Sequence, residues 1–140
     1  MKKIFFKSVL CSVLSAGCGA NHIPPGSQFA MAEVLIRHEL ASPRSYLQSH
    51  TDRCPCFVLV GEQDLPAEQL AALSRTGSAF LPGSSWVAGQ GTRIRVGLPQ
   101  SRWNGNFDVV HSYDCGRGCG GSGRALLRYD GARWRVIDEK

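Results

Sequence analysis

The feature that most constrains this chain is the alternation of apolar and polar residues in its C-terminal half. Residues 92–98 place three aliphatic side chains on one side and two arginines on the other, because successive strand residues point to opposite faces. The dipeptides Asn104-Gly105 and Asp130-Gly131 stand between such stretches, and their residues accept the positive φ angles of two-residue hairpins. We therefore expect at least four antiparallel strands, with residues 124–129 and 132–137 flanking the second hairpin.

The strand that follows Asn104-Gly105 carries the candidate pocket residues. Phe107, Val109, His111 and Tyr113 share one of its faces. We name His111, Tyr113 and the nearby Asp108 as a candidate pocket, since an imidazole, a phenol and a carboxylate could exchange protons there. The alternative is a histidine with its hydrogen bonds satisfied at a sheet face, and no catalytic residue is assigned.

Helical patterns dominate the first half of the chain. Apolar residues at helical spacing predict a helix over residues 27–41, with Ser27 as its N-cap and Pro43 beyond its end. A second helix is predicted over residues 64–75, and the apolar residues 57–60 suit a buried strand. We therefore predict an α+β fold, with two N-terminal helices packed on an antiparallel meander of about four to five strands.

This order of elements, closing on a strand with Trp134 and Val136 after Asp130-Gly131, is similar to the cone-shaped domains of the nuclear transport factor 2-like and cystatin-like superfamilies. The resemblance implies a small pocket-bearing enzyme or a ligand-binding domain. An unrelated small α+β sandwich, with helices covering one sheet, suits the sequence equally well.

The first residues have the order of a secretory signal. Lys2, Lys3 and Lys7 precede a short apolar stretch over residues 9–14, and small residues follow at 15–17. The apolar stretch falls short of the roughly 20 residues that span a bilayer as a helix. We therefore expect residues 1–17 to be a signal peptide, so that the domain is exported.

The segment Leu14-Ser15-Ala16-Gly17-Cys18 resembles the lipobox of bacterial lipoproteins. The resemblance implies that Cys18 is acylated and becomes the mature N-terminus, and that Gly19 favours the outer membrane, with the domain facing the periplasm. Several acyl chains anchor a protein durably. Residues 18–26 would then be a tether and residues 27–140 a single domain. The alternative is an ordinary secretory signal, cleaved near residue 16 or 20.

The charge and composition of the chain argue against a nucleic-acid partner. The 140 residues include 16 Lys or Arg against 11 Asp or Glu, a net charge of +5. Loss of the three signal lysines leaves 13 basic residues against those 11 acidic ones, so we expect no nucleic-acid partner. A composition of 43% hydrophobic and 19% charged residues argues against a disordered chain and against a multi-pass membrane protein.

Four cysteines fall in the predicted domain: Cys54, Cys56, Cys115 and Cys119. Four cysteines allow three pairings, and disulfides are the rule in an oxidising compartment. Residues 113–120 resemble a Tyr-x-Cys-Gly-x-x-Cys-Gly segment of exported bacterial proteins, which implies a bridge from Cys115 to Cys119. Crossed pairing stays open, because it avoids a very small ring between Cys54 and Cys56. A zinc site and a redox-active Cys-Pro-Cys are further alternatives.

These observations predict a non-enzymatic binding or structural module of the bacterial envelope. We expect it to be held at the membrane through acylated Cys18, to be stiffened by disulfides and to bind another envelope protein. The spacing of the four histidines matches no metal-binding motif, so we expect no metal and no cofactor.

Overall fold

The computed structural model describes residues 24–50, 52 and 54–140. The predicted signal peptide, Cys18 and most of the predicted tether lie outside the described residues. The described residues form three α-helices: α1 (Ser27–Ala41), α2 (Tyr46–Ser49) and α3 (Ala67–Ser74). They also form eight strands: β1 (Cys56–Val60), β2 (Gln63–Asp64), β3 (Phe80–Pro82), β4 (Thr92–Val96), β5 (Gln100–Ser101), β6 (Asn106–Asp114), β7 (Gly120–Tyr129) and β8 (Trp134–Glu139). Within these ranges, no helix is long and apolar enough to cross a membrane.

All eight strands belong to one sheet. Its main path runs β2-β1-β4-β6-β7-β8, while β3 pairs with β1 and β5 with β6. The pairs along β4, β6, β7 and β8 are antiparallel, but β1 is parallel to both β3 and β4. The α+β class is confirmed, but the predicted arrangement of two N-terminal helices on an antiparallel meander of four to five strands is wrong. The sheet has eight strands, two of its pairings are parallel, and α3 follows β1 and β2 in the chain. Parallel neighbours need a crossover connection, and the segment that contains α3 supplies it between β1 and β4.

Helix α1 has the predicted bounds, but its N-terminal cap differs from the prediction. Gly26, at φ 86°, stands at the N-cap position without a side-chain hydrogen bond, and Ser27 is buried as the first helical residue. The predicted cap at Ser27 is therefore wrong. The side chains that enter the core are Met31, Ala32, Leu35, Ile36 and Glu39.

The core lies between the helices and one face of the sheet. From the sheet it takes alternate residues of β4, β6 and β7, and from the helices it takes Leu47, Leu70 and Leu73. Fully burying one such leucine contributes about 2 kcal/mol. The predicted alternation in β6 is confirmed, since Phe107, Val109, His111 and Tyr113 are all buried.

Both predicted hairpins are present, but their loops are longer than the two residues expected. Asn104 and Gly105 both have positive φ, at 69° and 72°, and they close the β5–β6 hairpin. Strand β4 ends at Val96, however, so β5 has only two residues. At the second hairpin Tyr129 pairs with Trp134, which leaves a four-residue loop over 130–133. The Asp130 carboxylate accepts hydrogen bonds from two backbone N–H groups of that loop, an arrangement that favours the longer turn.

Candidate functional site

Four ionisable side chains meet between α1 and the sheet: Glu39, His111, Tyr113 and Glu139. Glu39 and His111 are 2% and 4% exposed, and Glu39 Oε1 lies 3.9 Å from His111 Nε2. The Glu39 carboxyl group shares hydrogen bonds with Tyr113 and with Glu139. The His111 and Tyr113 rings meet edge to face, with their centroids 5.4 Å apart. We call these four residues the buried cluster.

Three separate elements supply the buried cluster. Glu39 comes from the last turn of α1, and the regular alternation of β6 turns both His111 and Tyr113 toward the helix. Glu139 reaches the cluster because β8 contains a bulge: Leu127 pairs with Val136, and the next pair joins Leu126 to Asp138. One extra residue of β8 thus stands opposite β7, and it reverses the facing of the residues that follow.

The bulge decides where the Glu139 carboxylate points. Glu139 pairs with Ala125, a fully buried residue on the helix side of the sheet. If β8 alternated regularly from Trp134 through Ile137, without the bulge, position 139 would face away from α1. On the helix side, Glu139 Oε2 lies 2.9 Å from His38 Nε2, and both side chains are partly exposed. The buried cluster therefore reaches solvent through Glu139.

The two carboxyl groups of the cluster hold their protons differently. Burial, helped by the hydrogen bond and the charge of Glu139, raises the pKa of Glu39 to about 8. The hydrogen bond from Glu39 lowers the pKa of Glu139, and His38 lowers it further. Two carboxyl groups in contact avoid carrying two charges by keeping one proton. At neutral pH that proton resides on Glu39, and Glu139 is the carboxylate.

The other two members of the cluster are neutral at pH 7. Burial lowers the pKa of His111 below its usual 6.5. Burial and the proximity of Glu39 raise the pKa of the Tyr113 hydroxyl. The cluster thus presents a carboxylic acid, a neutral imidazole and a phenol around a single carboxylate.

Two atoms of the cluster have no hydrogen-bond partner among the described residues. They are Glu39 Oε1 and His111 Nδ1. Buried polar atoms are almost always paired, and an unpaired one costs about 1 to 3 kcal/mol. These atoms give the cluster unused capacity to bind a ligand.

The predicted pocket residues do not converge. His111 and Tyr113 lie side by side, but Asp108 occupies the opposite face of β6, because even and odd residues of a strand face opposite ways. We call the sheet face that carries Asp108, Arg124 and Leu126 the open face. There Asp108 accepts a hydrogen bond from Arg102 and lies 3.7 Å from the Arg124 guanidinium. A cavity of about 340 Å³ surrounds this group, and its wall includes Trp103.

Sequence reasoning missed Glu39 and Glu139. Glu39 follows Leu35 by four residues and Ile36 by three, so it extends the buried stripe of α1. A carboxylate in such a stripe is a detectable signal. The sequence around Glu139 contains no comparable signal, because the pattern of a strand does not show where a β-bulge will form.

The cysteines form two local disulfides. Cys54 pairs with Cys56 and Cys115 with Cys119, at Cα–Cα distances of 4.5 and 5.2 Å. The predicted Cys115–Cys119 bridge is confirmed, and the crossed pairing is not formed. The Tyr46 hydroxyl donates to the Cys115–Cys119 disulfide. Strand β7 begins directly after Cys119, at Gly120, which is four residues before the predicted start at residue 124.

The chain matches no protein-family model, no curated protein and no solved structure. The resemblances to cone-shaped domains and to bacterial lipoproteins stay predictions.

Proposed function

We propose that this chain is an exported, lipid-anchored module of the bacterial envelope that binds another envelope protein through its open face. The observation that carries the binding role is Trp103, whose side chain is 91% exposed at the edge of the open-face cavity. Export is supported by the two disulfide bonds, because disulfides persist in oxidising compartments.

The loop around Trp103 is held in a defined shape. The Arg102 N–H donates to the Asn106 carbonyl at 2.7 Å, which closes the loop across residues 103–105. The Arg102 side chain is hydrogen-bonded to Asp108, and the Arg128 guanidinium donates to Asn106 Oδ1 at 2.7 Å. An ordered loop loses less conformational entropy on binding than a mobile one.

The residue types of this surface suit a protein partner. Tryptophan and arginine dominate the energetics of many protein interfaces, particularly beside a pocket. Trp103 and Arg102 line a concave surface that also carries Arg124. A partner that covers the indole would remove a large apolar area from water, while the arginines would fix its orientation.

Site-specific photocrosslinking in intact cells tests the binding role. A photoreactive residue at Trp103 should give a discrete adduct, and Arg124→Ala should weaken it. The same residue at Val87, which is 58% exposed on a different loop, is the matched control. Equal crosslinking from both positions, or none from Trp103, contradicts the proposal.

Lipid anchoring needs a test of its own. A labelled fatty acid should be incorporated into the wild-type chain and recovered in the membrane fraction. Cys18→Ser should abolish both the label and the membrane association. Label that persists in Cys18→Ser would show that Cys18 is not the acylated residue.

A second candidate function is that of a ligand-binding or catalytic domain, as the cone-shaped class would imply. The observation that favours it is the buried cluster, in which a carboxyl group, an imidazole and a phenol lie together. Native mass spectrometry of the purified chain tests this candidate. A retained organic molecule that is lost on denaturation supports it, and the mass of the bare polypeptide argues against it.

A further inference from the structure

We propose that Glu39, His111 and Glu139 form a binding site for a divalent transition-metal ion of the Zn²⁺ type. One ligand atom from each residue lies within 4.8 Å of the other two. The inference does not depend on lipid anchoring or on a protein partner. It also revises the expectation of no metal, which rested on histidine spacing along the chain.

The distances come close to those of a metal centre. Zinc binds imidazole nitrogen and carboxylate oxygen at about 2.0 to 2.2 Å in tetrahedral geometry, so two of its ligand atoms lie about 3.4 Å apart. Glu39 Oε1 and His111 Nε2 are 3.9 Å apart, so they need to approach each other by only about half an ångström. A rotation of the Glu139 carboxylate would bring in the third ligand.

An unpaired atom of the cluster points into the site. Glu39 is 2% exposed, and its Oε1 has no hydrogen-bond partner within the described part of the chain. This oxygen faces the His111 ring. A cation between the two would satisfy a buried acceptor that otherwise carries the full cost of desolvation.

Neighbouring groups support the proposed ligands. The Tyr113 hydroxyl is hydrogen-bonded to the Glu39 carboxyl group, and His38 lies 2.9 Å from the Glu139 carboxylate. Such contacts orient ligands in metal sites, where losing one typically weakens affinity 10- to 100-fold. Glu139 is about 30% exposed and gives an ion a route from solvent.

The chemistry of the ligand set narrows the choice of ion. One imidazole with two carboxylates suits Zn²⁺, Co²⁺, Mn²⁺ or Fe²⁺ better than Ca²⁺, which takes six to eight oxygen ligands. Binding of the ion would release the Glu39 proton to solvent, and the two carboxylates would then balance the charge of a divalent ion in a buried site. The three ligands leave a coordination position for water, as in sites where zinc activates a bound molecule.

Titration calorimetry tests the site. The full chain, stripped with EDTA and titrated with ZnCl₂, should bind one ion per molecule. Glu139→Gln should weaken that binding at least tenfold, and because Glu139 is partly exposed, the variant should fold. Asp138→Asn is the matched control, since this neighbouring carboxylate pairs with Leu126 on the open face, and it should bind as the wild type does.

A second readout separates this site from adventitious binding. Zn²⁺ should raise the thermal midpoint of the wild type and of Asp138→Asn, and leave that of Glu139→Gln unchanged. Co²⁺ in the same chain should show the visible absorption of a four- or five-coordinate ion, and Glu39→Gln should remove it. Absence of one-to-one binding, or equal affinity of Glu139→Gln and wild type, would overturn the proposal.

Discussion

Replacing Glu39 by glutamine should remove a fall in stability that the wild-type protein shows between about pH 6.5 and 8 in EDTA. The pKa of Glu39 is about 8 in the folded protein, against an ordinary value of 4.5. In this range the folded state holds a proton on Glu39 and the unfolded state does not. Stability must therefore decrease as pH rises, by up to about 1.4 kcal/mol per pH unit.

The other members of the buried cluster define this pH window. His111 has a pKa below its usual 6.5, so below pH 6.5 the unfolded state binds the extra proton and stability falls as pH decreases. That trend opposes the trend from Glu39. Tyr113 has a raised pKa and Glu139 a lowered one, so both titrate outside the window. Within the buried cluster, Glu39 therefore dominates the change in stability between pH 6.5 and 8, which amounts to about 1.5 kcal/mol in total.

Urea denaturation at half-unit steps of pH measures the effect. The wild-type free energy of unfolding should fall steadily across the window, while that of Glu39→Gln should stay flat. Glu68→Gln, which alters an exposed carboxylate at the start of α3, should keep the wild-type slope. A flat wild-type profile, or a slope that survives in Glu39→Gln, would show that Glu39 is not protonated in the folded state.

Three further changes test the surroundings of the cluster by thermal denaturation. Gly123→Ala should cost about 1 to 3 kcal/mol, because a Cβ there would lie 2.8 Å from His111 Nε2; an unchanged midpoint would mean that β7 can move away freely. Tyr46→Phe should cost about 1 kcal/mol, since it loses the hydrogen bond to the Cys115–Cys119 disulfide; no loss would make that contact energetically irrelevant. Replacing Cys115 and Cys119 together by serine should cost about 2 kcal/mol, because a five-residue loop is released in the unfolded state; a wild-type midpoint would contradict this.

Local patterns in the sequence predicted most of the elements but not their pairing. Alternation in β4 and β6 and helical spacing in α1 depend on neighbours a few residues apart, so the bounds of α1 agree with the prediction. The parallel pairing of β1 with β4 joins residues 36 positions apart, as in Cys56 with Thr92. Nothing in the pattern of either strand specifies that partner, because a five-residue pattern shows which face of a strand is buried but not which strand lies beside it.

The predicted candidate pocket was wrong about Asp108 for a different reason. Proximity along the chain suggested that Asp108 joins His111 and Tyr113, yet the two-residue period of a strand separates them. That period was already used to place Phe107 and Val109 beside His111. Applied to Asp108, it would have assigned this carboxylate to the open face, where Arg102 and Arg124 in fact surround it.

Only part of the buried cluster could be predicted from the sequence. A glutamate that continues the apolar stripe of α1 indicates that Glu39 is buried, and a buried carboxyl group needs a partner or a proton. Its partner Glu139 lies 100 residues further along, and its direction relative to Trp134 depends on the bulge in β8. Deleting Ile137 would leave a regular strand with Glu139 still opposite Ala125, so Glu139→Gln is the change that takes the neighbouring charge away from Glu39. In that variant the pKa of Glu39 would still be raised by burial, but Zn²⁺ would lose a ligand, so a retained pH slope with lost zinc binding would separate the two roles of the cluster.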